Sequence, residues 1–190
     1  MDRSILHPDA PSGKERKYAR PELERRFLFA RIPPGAVIRR VLIEDRYLDG
    51  TRLRLRRMTE LEADDRPATG EPTYKLAQKI PAPDGSPGLI TNLYLSKPEY
   101  DVLAEVPARV LRKIRLSIPP LGVDVFEGEL QGVFIGEAEF ESADEAEAFA
   151  PPAGSAAEVT RDIRFTGGRL MSTSRAELRS ALADFGISLP

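Results

Sequence analysis

The feature that most limits the fold is an alternation of period two in which the polar positions tend to carry one sign of charge. In "TRLRLRRM" (51–58), Arg52, Arg54 and Arg56 alternate with Leu53 and Leu55. In "ELERRFLF" (22–29), Glu22, Glu24 and Arg26 alternate with Leu23 and Phe27. "TYKLAQKI" (73–80) sets Lys75 and Lys79 on one side, and "VLRKIRLSI" (110–118) does the same with Lys113 and Arg115. "GEAEFES" (136–142) aligns Glu137, Glu139 and Glu141, with Asp124 in "GVDVF" shortly before. Successive side chains of a strand point to opposite faces, so each run has one ionic face and one apolar face. A helical period would scatter these charges around a cylinder.

Breakers separate the runs. Pro33-Pro34-Gly35 ends the first, and Asp49-Gly50 predicts a hairpin between "RRVLIEDRYL" and "TRLRLRRM". "TELEADDRPATGEP" and "PAPDGSPG" read as loops, and "LITNLYL" as a further strand. Ser96 with Glu99 three residues on is a capping-box pattern that opens a short helix. "ARVLRKIRLSI", "GVDVFEGEL" and "GVFIGEAEFE" return to strand character. Ser142 caps a second helix, and Ser172 or Ser174 a C-terminal one. The expected organisation is a flexible tail over residues 1–19, then one domain over 20–190 that is mainly antiparallel β with a few helices.

The residue inventory narrows the chemistry. The 190 residues include no cysteine and one histidine, His7, which falls in the tail. Thiolate chemistry and a Ser-His-Asp relay are therefore excluded as expectations. There is no phosphate-loop motif and no dinucleotide fingerprint. A net charge of −2 among 31% charged residues gives no general attraction to nucleic acid or anionic membrane. No stretch reaches the roughly 18 apolar residues of a membrane span, and the N-terminus has no signal-peptide apolar core. The absence of cysteine fits a reducing cytoplasm. The tools left for an enzyme are carboxylates, Lys, Arg and a metal ion.

An antiparallel sheet commonly has one wet face, and polar alternation can simply decorate it. Such a face usually mixes signs, because opposite charges on facing strands attract and like charges repel. Here Arg-x-Arg-x-Arg and Glu-x-Glu-x-Glu are kept on separate strands. A polyanion would neutralise the basic rows and divalent cations the acidic ones. An eight-stranded barrel, closed or nearly closed, has room inside for one small ligand. With a charged lining, Leu23, Phe27, Leu53, Leu55 and Ile114 must face outward under covering helices. Arg and Lys suit phosphate, and paired carboxylates suit Mg²⁺ or Mn²⁺.

The segment "ELERRFL" resembles the Glu-x-Glu-x-Lys signature that opens the CYTH, or triphosphate tunnel metalloenzyme, superfamily. The similarity continues in family order through "IEDRYLDGTRLRLRR", "YKLAQKI", "YLSKPEYDVL", "RKIRLSI" and "VDVFEGELQGVFIGEAEFES", to "EVTRDIRF". It implies an eight-stranded tunnel that binds a triphosphate with about two divalent ions, Mg²⁺ or Mn²⁺. Glu22, Glu24, Asp124, Glu137 and Glu139 match its metal acids. Arg26, Arg52, Arg54, Lys79, Lys113 and Arg115 match phosphate-contacting positions, and Arg56 and Lys75 are added from strand spacing. Glu22, Glu24, Arg26 and Lys79 are the expected catalytic set. The C-terminal helix is expected near one tunnel mouth, as a gate.

Two positions depart from the pattern. Arg26 replaces the signature lysine, which removes any base-like role there. "LITNLYL" offers Thr91, Leu93 and Leu95 where many relatives carry charge. The resemblance implies a metal-dependent phosphohydrolase that cleaves the terminal phosphate of inorganic triphosphate or another triphosphate. The alternatives are an adenylate cyclase, a thiamine triphosphate hydrolase and a binding-only polyphosphate or nucleotide module. The expected partner is a small-molecule triphosphate or nucleotide, with a homodimer as an option.

Overall fold

A computed structural model of the chain describes residues 17–80 and 88–189. His7, the tail up to residue 16 and residues 81–87 of the expected "PAPDGSPG" loop lie outside the described residues.

The strands are β1 (Arg20–Pro21), β2 (Glu24–Phe29), β3 (Arg39–Leu48), β4 (Leu53–Leu61), β5 (Thr73–Ile80) and β6 (Leu89–Leu95). They continue as β7 (Ala108–Ile118), β8 (Leu121–Phe126), β9 (Phe134–Glu139) and β10 (Ser155–Glu158). Among the described residues four helices accompany them: α1 (Lys97–Ala104), α2 (Ala143–Ala148), α3 (Gly167–Leu170) and α4 (Arg175–Ala183). The class is the expected one, mainly antiparallel β with few helices. The predicted capping box opens α1, where the Ser96 backbone N–H donates to Glu99 Oε2 at 2.7 Å. Ser174, not Ser172, caps α4 in the same way with Glu177.

The closed eight-stranded barrel is not what forms. One sheet of ten strands runs in the order β1-β6-β5-β4-β3-β7-β8-β9-β2-β10, and its hydrogen-bonded ladder has two ends. The additional strands are β1 and β10, of 2 and 4 residues, too short to show any alternation. Thr59–Leu61, expected in a loop, instead extends β4, because the ten-residue β3 offers Arg40, Val41 and Leu42 as partners.

The sheet nevertheless curls back on itself. β1 pairs with β6 and β2 pairs with β9, yet only Glu22 and Leu23 separate β1 from β2. Three Cα steps span at most about 11 Å, so the β6 and β9 sides are held next to each other by the chain itself. Lys79 of β5 and Glu137 of β9 confirm the curl. Five strand spacings would part them by about 24 Å in a flat sheet, yet the Lys79 charge lowers the Glu137 pKa.

Two apolar clusters build the molecule. On the convex face, Phe27, Phe29, Leu116, Val123 and Ala138 pack with Ile114 and with Phe149 just after α2, as expected for the outward alternates. The second cluster joins Leu28, Leu111, Phe126 and Ile135 to Phe165, Leu170, Leu178 and Leu182 of the C-terminal segment. Among the described residues, no helix is long and apolar enough to cross a membrane.

Candidate active site

Register decides which face each charge occupies, because directly opposed residues share a face. Asp45 opposes Arg56, Arg56 opposes Lys75, and Lys75 opposes Tyr94. Arg115 opposes Asp124, Gly122 opposes Glu137, Glu137 opposes Arg26, and Glu139 opposes Glu24. Followed strand by strand, these pairs put Glu24, Arg26, Arg54, Arg56, Lys75, Lys79, Lys113, Arg115, Asp124, Glu137 and Glu139 on the concave face. Glu22 joins them through an ion pair with Lys79. The convex face behaves differently. There Glu44 faces Arg57 and Arg112 across both neighbouring strands and forms ion pairs with each, the mixed-sign pattern of a wet surface.

Inside the curl Asp124, Glu137 and Asp45 each meet a base. Asp124, 1% exposed, accepts Arg115 Nε at 2.7 Å and Arg115 Nη2 at 2.8 Å, and also pairs with Lys113. Burial opposes its charge, but Arg115 and Lys113 hold its carboxyl well below the usual carboxylate range. Burial lowers the Lys113 pKa in turn. Arg115 reaches on to Glu137, whose pKa it lowers against the cost of burial. Gly122 lies against this crossing, where a Cβ would stand in ordinary van der Waals contact with Arg115 Cδ at 3.4 Å.

A second node centres on Asp45, a residue that the sequence reading did not single out. It is 1% exposed and accepts Arg56 Nε and Nη2 at 2.6 and 2.8 Å, with Arg54 Nε at 3.5 Å. Burial opposes ionisation here too, but Arg56 and Arg54 pull the pKa down to about 2. The Asp49-Gly50 hairpin carried the signal, since pairing outward from that turn sets Asp45 opposite Arg56. Arg54 Nε and Arg26 Nε are buried donors without hydrogen-bond partners among the described residues.

Glu24 is the exception among the acids. Burial first, then the charges of Glu137 and Glu22, push its pKa up to about 7, against the weaker pull of Lys79 and Arg26. A crowded carboxylate of this kind favours a hard cation beside it, which suits Mg²⁺ or Mn²⁺ chemically. Asp124 fits less well, because both its oxygens already serve Lys113 and Arg115. Among the described residues no three acidic or imidazole side chains form a preassembled ion cage.

Arg26 turns toward the C-terminal segment. Its Nη1 donates to the Phe165 carbonyl at 2.9 Å and its Nη2 to the Thr160 carbonyl at 2.6 Å, leaving Nε toward Glu24 at 3.5 Å. Arg52 lies in the exposed bend before β4, outside the row that Arg54 and Arg56 continue. Glu139 sits exposed at the rim opposite Glu24. On β6 the concave face is formed by Ile90, Asn92 and Tyr94, the set complementary to Thr91, Leu93 and Leu95.

No family model matches the chain, and no curated protein matches it. Two solved structures share the fold, each with a TM-score of 0.51 over 80% of this chain. One, described as hypothetical protein NE1496, is 25% identical and covered over 99% of its length. The other, described as inorganic triphosphatase NE1496, is 26% identical and covered over 95%. The shared fold agrees with the resemblance of the chain to the CYTH, or triphosphate tunnel metalloenzyme, superfamily.

Within this fold, one end of the curled sheet is filled. Leu28, Leu111, Phe126 and Ile135 belong to the same concave face as the charges, and the C-terminal segment packs onto them. In α4, Leu178 and Leu182 are 1% and 0% exposed, so the helix is seated as a plug on this end, where a gate was expected. A Cβ at Gly167 would collide with the Tyr47 hydroxyl, which shows how closely α3 is pressed to β3. The C-terminal segment thus floors the concave face at this end, as the base of a cup.

Proposed function

We propose that this chain is a divalent-metal-dependent triphosphatase that cleaves the terminal phosphate of inorganic triphosphate or of a related triphosphate inside the ionic cup. The observation that carries this reading is the gathering of Arg and Lys on the concave face, where Arg26, Arg56 and Lys113 are buried and the Arg54 Nε and Arg26 Nε donors make no hydrogen bond, each standing 3.5 Å from a carboxylate. Buried guanidinium donors are costly unless an anion meets them, and their planar fork suits phosphate oxygens. The description of the structurally similar NE1496 as an inorganic triphosphatase supports the same chemistry.

Glu22, Glu24, Glu137 and Glu139 would hold the cations, two Mg²⁺ or Mn²⁺ ions. Bound there, a divalent ion supplies neutralisation of the phosphate oxygens and orientation of the hydrolytic water. Arg54, Arg56, Lys113 and Arg115 draw the phosphate chain in and absorb the charge that builds up as the bond to the leaving oxygen breaks. Entry of the anion requires Arg115 to exchange part of its bond to Glu137 for a phosphate oxygen, which frees that carboxylate. Water adds to the terminal phosphorus, the bridging P–O bond breaks, and orthophosphate and pyrophosphate leave from inorganic triphosphate. The plug excludes water from the far end.

Phosphate release from tripolyphosphate and from ATP, with Mg²⁺, Mn²⁺ or EDTA, tests this reading. Metal-dependent release of orthophosphate is expected, with strong loss in Lys113→Met. Absence of release in every metal would refute it, and cyclic AMP with pyrophosphate from ATP would assign cyclase chemistry instead.

A further inference from the structure

Arg26 is bound from two directions. Its register on β2 sets it opposite Glu137, on the ionic face. Its guanidinium nevertheless commits both terminal nitrogens to the C-terminal segment, Nη1 to the Phe165 carbonyl at 2.9 Å and Nη2 to the Thr160 carbonyl at 2.6 Å. The main chain of the same residue is fastened there as well. The Arg26 N–H donates to Thr160 Oγ1 at 3.0 Å, and the Val159 N–H donates to the Arg26 carbonyl at 2.8 Å. These hydrogen bonds form a clasp between one residue of β2 and residues 159–165.

The clasp closes where the plug begins. Asp162 caps a 3-10 turn over Ile163–Phe165 by accepting the Arg164 N–H at 3.0 Å, which fixes the direction of the Phe165 carbonyl. The Phe165 ring belongs to the plug cluster and lies 5.8 Å from the Phe185 ring just beyond α4. Thr166, the next residue, caps α3. On the other side of the guanidinium, Nε makes no hydrogen bond among the described residues and faces Glu24 Oε1 at 3.5 Å. A planar guanidinium offers these three directions at once, whereas lysine ends in a single ammonium one bond shorter. With both Nη atoms taken, the group has no fork left to offer a phosphate.

We propose that Arg26 is a positioning residue, which ties the seated C-terminal segment to the Glu24 carboxylate so that the plug sets the place of one cation-holding acid. This rests on the triphosphate reading of the ionic face and adds a residue that acts through Glu24 instead of on the phosphate. The seating of α3 and α4 then bears on turnover, although the plug meets Glu24 only through Arg26.

Tripolyphosphate turnover with Mn²⁺ in wild type, Arg26→Lys, Arg26→Met and Leu182→Ala tests this, with circular dichroism to check that each chain is folded. Misplacing a group at a reacting centre by about 1 Å costs on the order of 100-fold in rate. Both Arg26 variants should lose about that factor in kcat while KM stays within about threefold, and lysine should not rescue. Leu182→Ala should lower kcat in the same way, and R26K/L182A should fall no further than R26K alone, because both changes break one linkage. An Arg26 that holds phosphate gives another pattern: in Arg26→Met, KM rises about tenfold or more at unchanged kcat, and Arg26→Lys, which keeps the charge, recovers it. That pattern, or additive losses in the double variant, overturns the proposal. If Arg26→Met does not fold, Arg26→Lys and Leu182→Ala carry the comparison. Deuterium exchange of the backbone amides of residues 159–166, in the metal-free and ligand-free chain, reads the clasp without turnover. It should quicken several-fold in the Arg26 variants, and an unchanged rate overturns the clasp whatever the activity. Absence of phosphate release from the wild type overturns the triphosphate reading and the role at Glu24 with it, and the exchange rates then decide the clasp alone.

Discussion

Replacing Asp45 by Asn tests whether the concave charges are bound into the fold or merely line it. The carboxylate is 1% exposed and serves Arg56 through two bonds of 2.6 and 2.8 Å. Holding it at about 2 against an ordinary 3.8 is worth roughly 2.5 kcal/mol, at about 1.4 kcal/mol per pKa unit. Removing one partner of a buried pair also strands the other, which typically costs about 3–5 kcal/mol. The amide of Asn keeps one acceptor, so about 3 kcal/mol is expected, or a fall of roughly 6–12 °C in Tm for a chain of this length. Urea denaturation followed by circular dichroism measures it. The folded carboxyl lies below its unfolded value, so its contribution is complete above about pH 4 and is lost as the pH falls toward 2. The gap between wild type and D45N should therefore close in acid. The double variant D45N/R56M should recover part of the loss, because the Arg56 guanidinium is then no longer left without its carboxylate. A D45N protein within about 0.5 kcal/mol of wild type at neutral pH, or a gap that persists at about pH 2, would refute the reasoning.

Glu24→Gln should behave in the opposite sense. The wild-type carboxyl is raised to about 7, so the metal-free protein should lose stability as the pH rises from about 4.5 to 7. E24Q should flatten that slope, and equal slopes in thermal melts with EDTA would contradict the crowded-carboxylate account. Leu182→Ala removes a fully buried contact in the plug and should cost about 2–5 kcal/mol in denaturant titration. A loss below about 0.5 kcal/mol would mean that α4 is a loose gate after all.

Much of this was legible in the sequence, because the side-chain period of a strand is fixed by geometry. Once "LRLRR" and "TYKLAQK" are read as strands, Arg54, Arg56, Lys75 and Lys79 must share a face, and the structure keeps them together. Burial of Phe27 and Leu55 on the other side follows from the same rule. What periodicity does not carry is how far the ladder closes. That depends on the bend at Glu22–Leu23, where one run changes partner from β6 to β9. Asp45 was missed because it stands alone among Glu44 and Arg46, and only the hairpin register reveals its bond to Arg56. The β6 face was assigned the wrong way round because "LITNLYL" has apolar residues at both parities, which leaves the period without a phase. The plug escaped for another reason. Its contacts join residues such as Leu28 and Leu182, and no local pattern encodes so distant a pairing. Arg26 likewise fits a phosphate clamp by motif, yet its guanidinium is shared with the carbonyls of Thr160 and Phe165.

The central claim is that an anion is received by the buried inner arginines. It is tested most directly by the Nε–H resonances of ¹⁵N-labelled arginines during titration with tripolyphosphate in Mg²⁺. Signals of Arg54 and Arg115 should shift together with one midpoint, while those of the convex-face Arg57 and Arg112 stay in place. Shifts confined to Arg57 and Arg112, with Arg54 and Arg115 unmoved at saturation, would contradict the account.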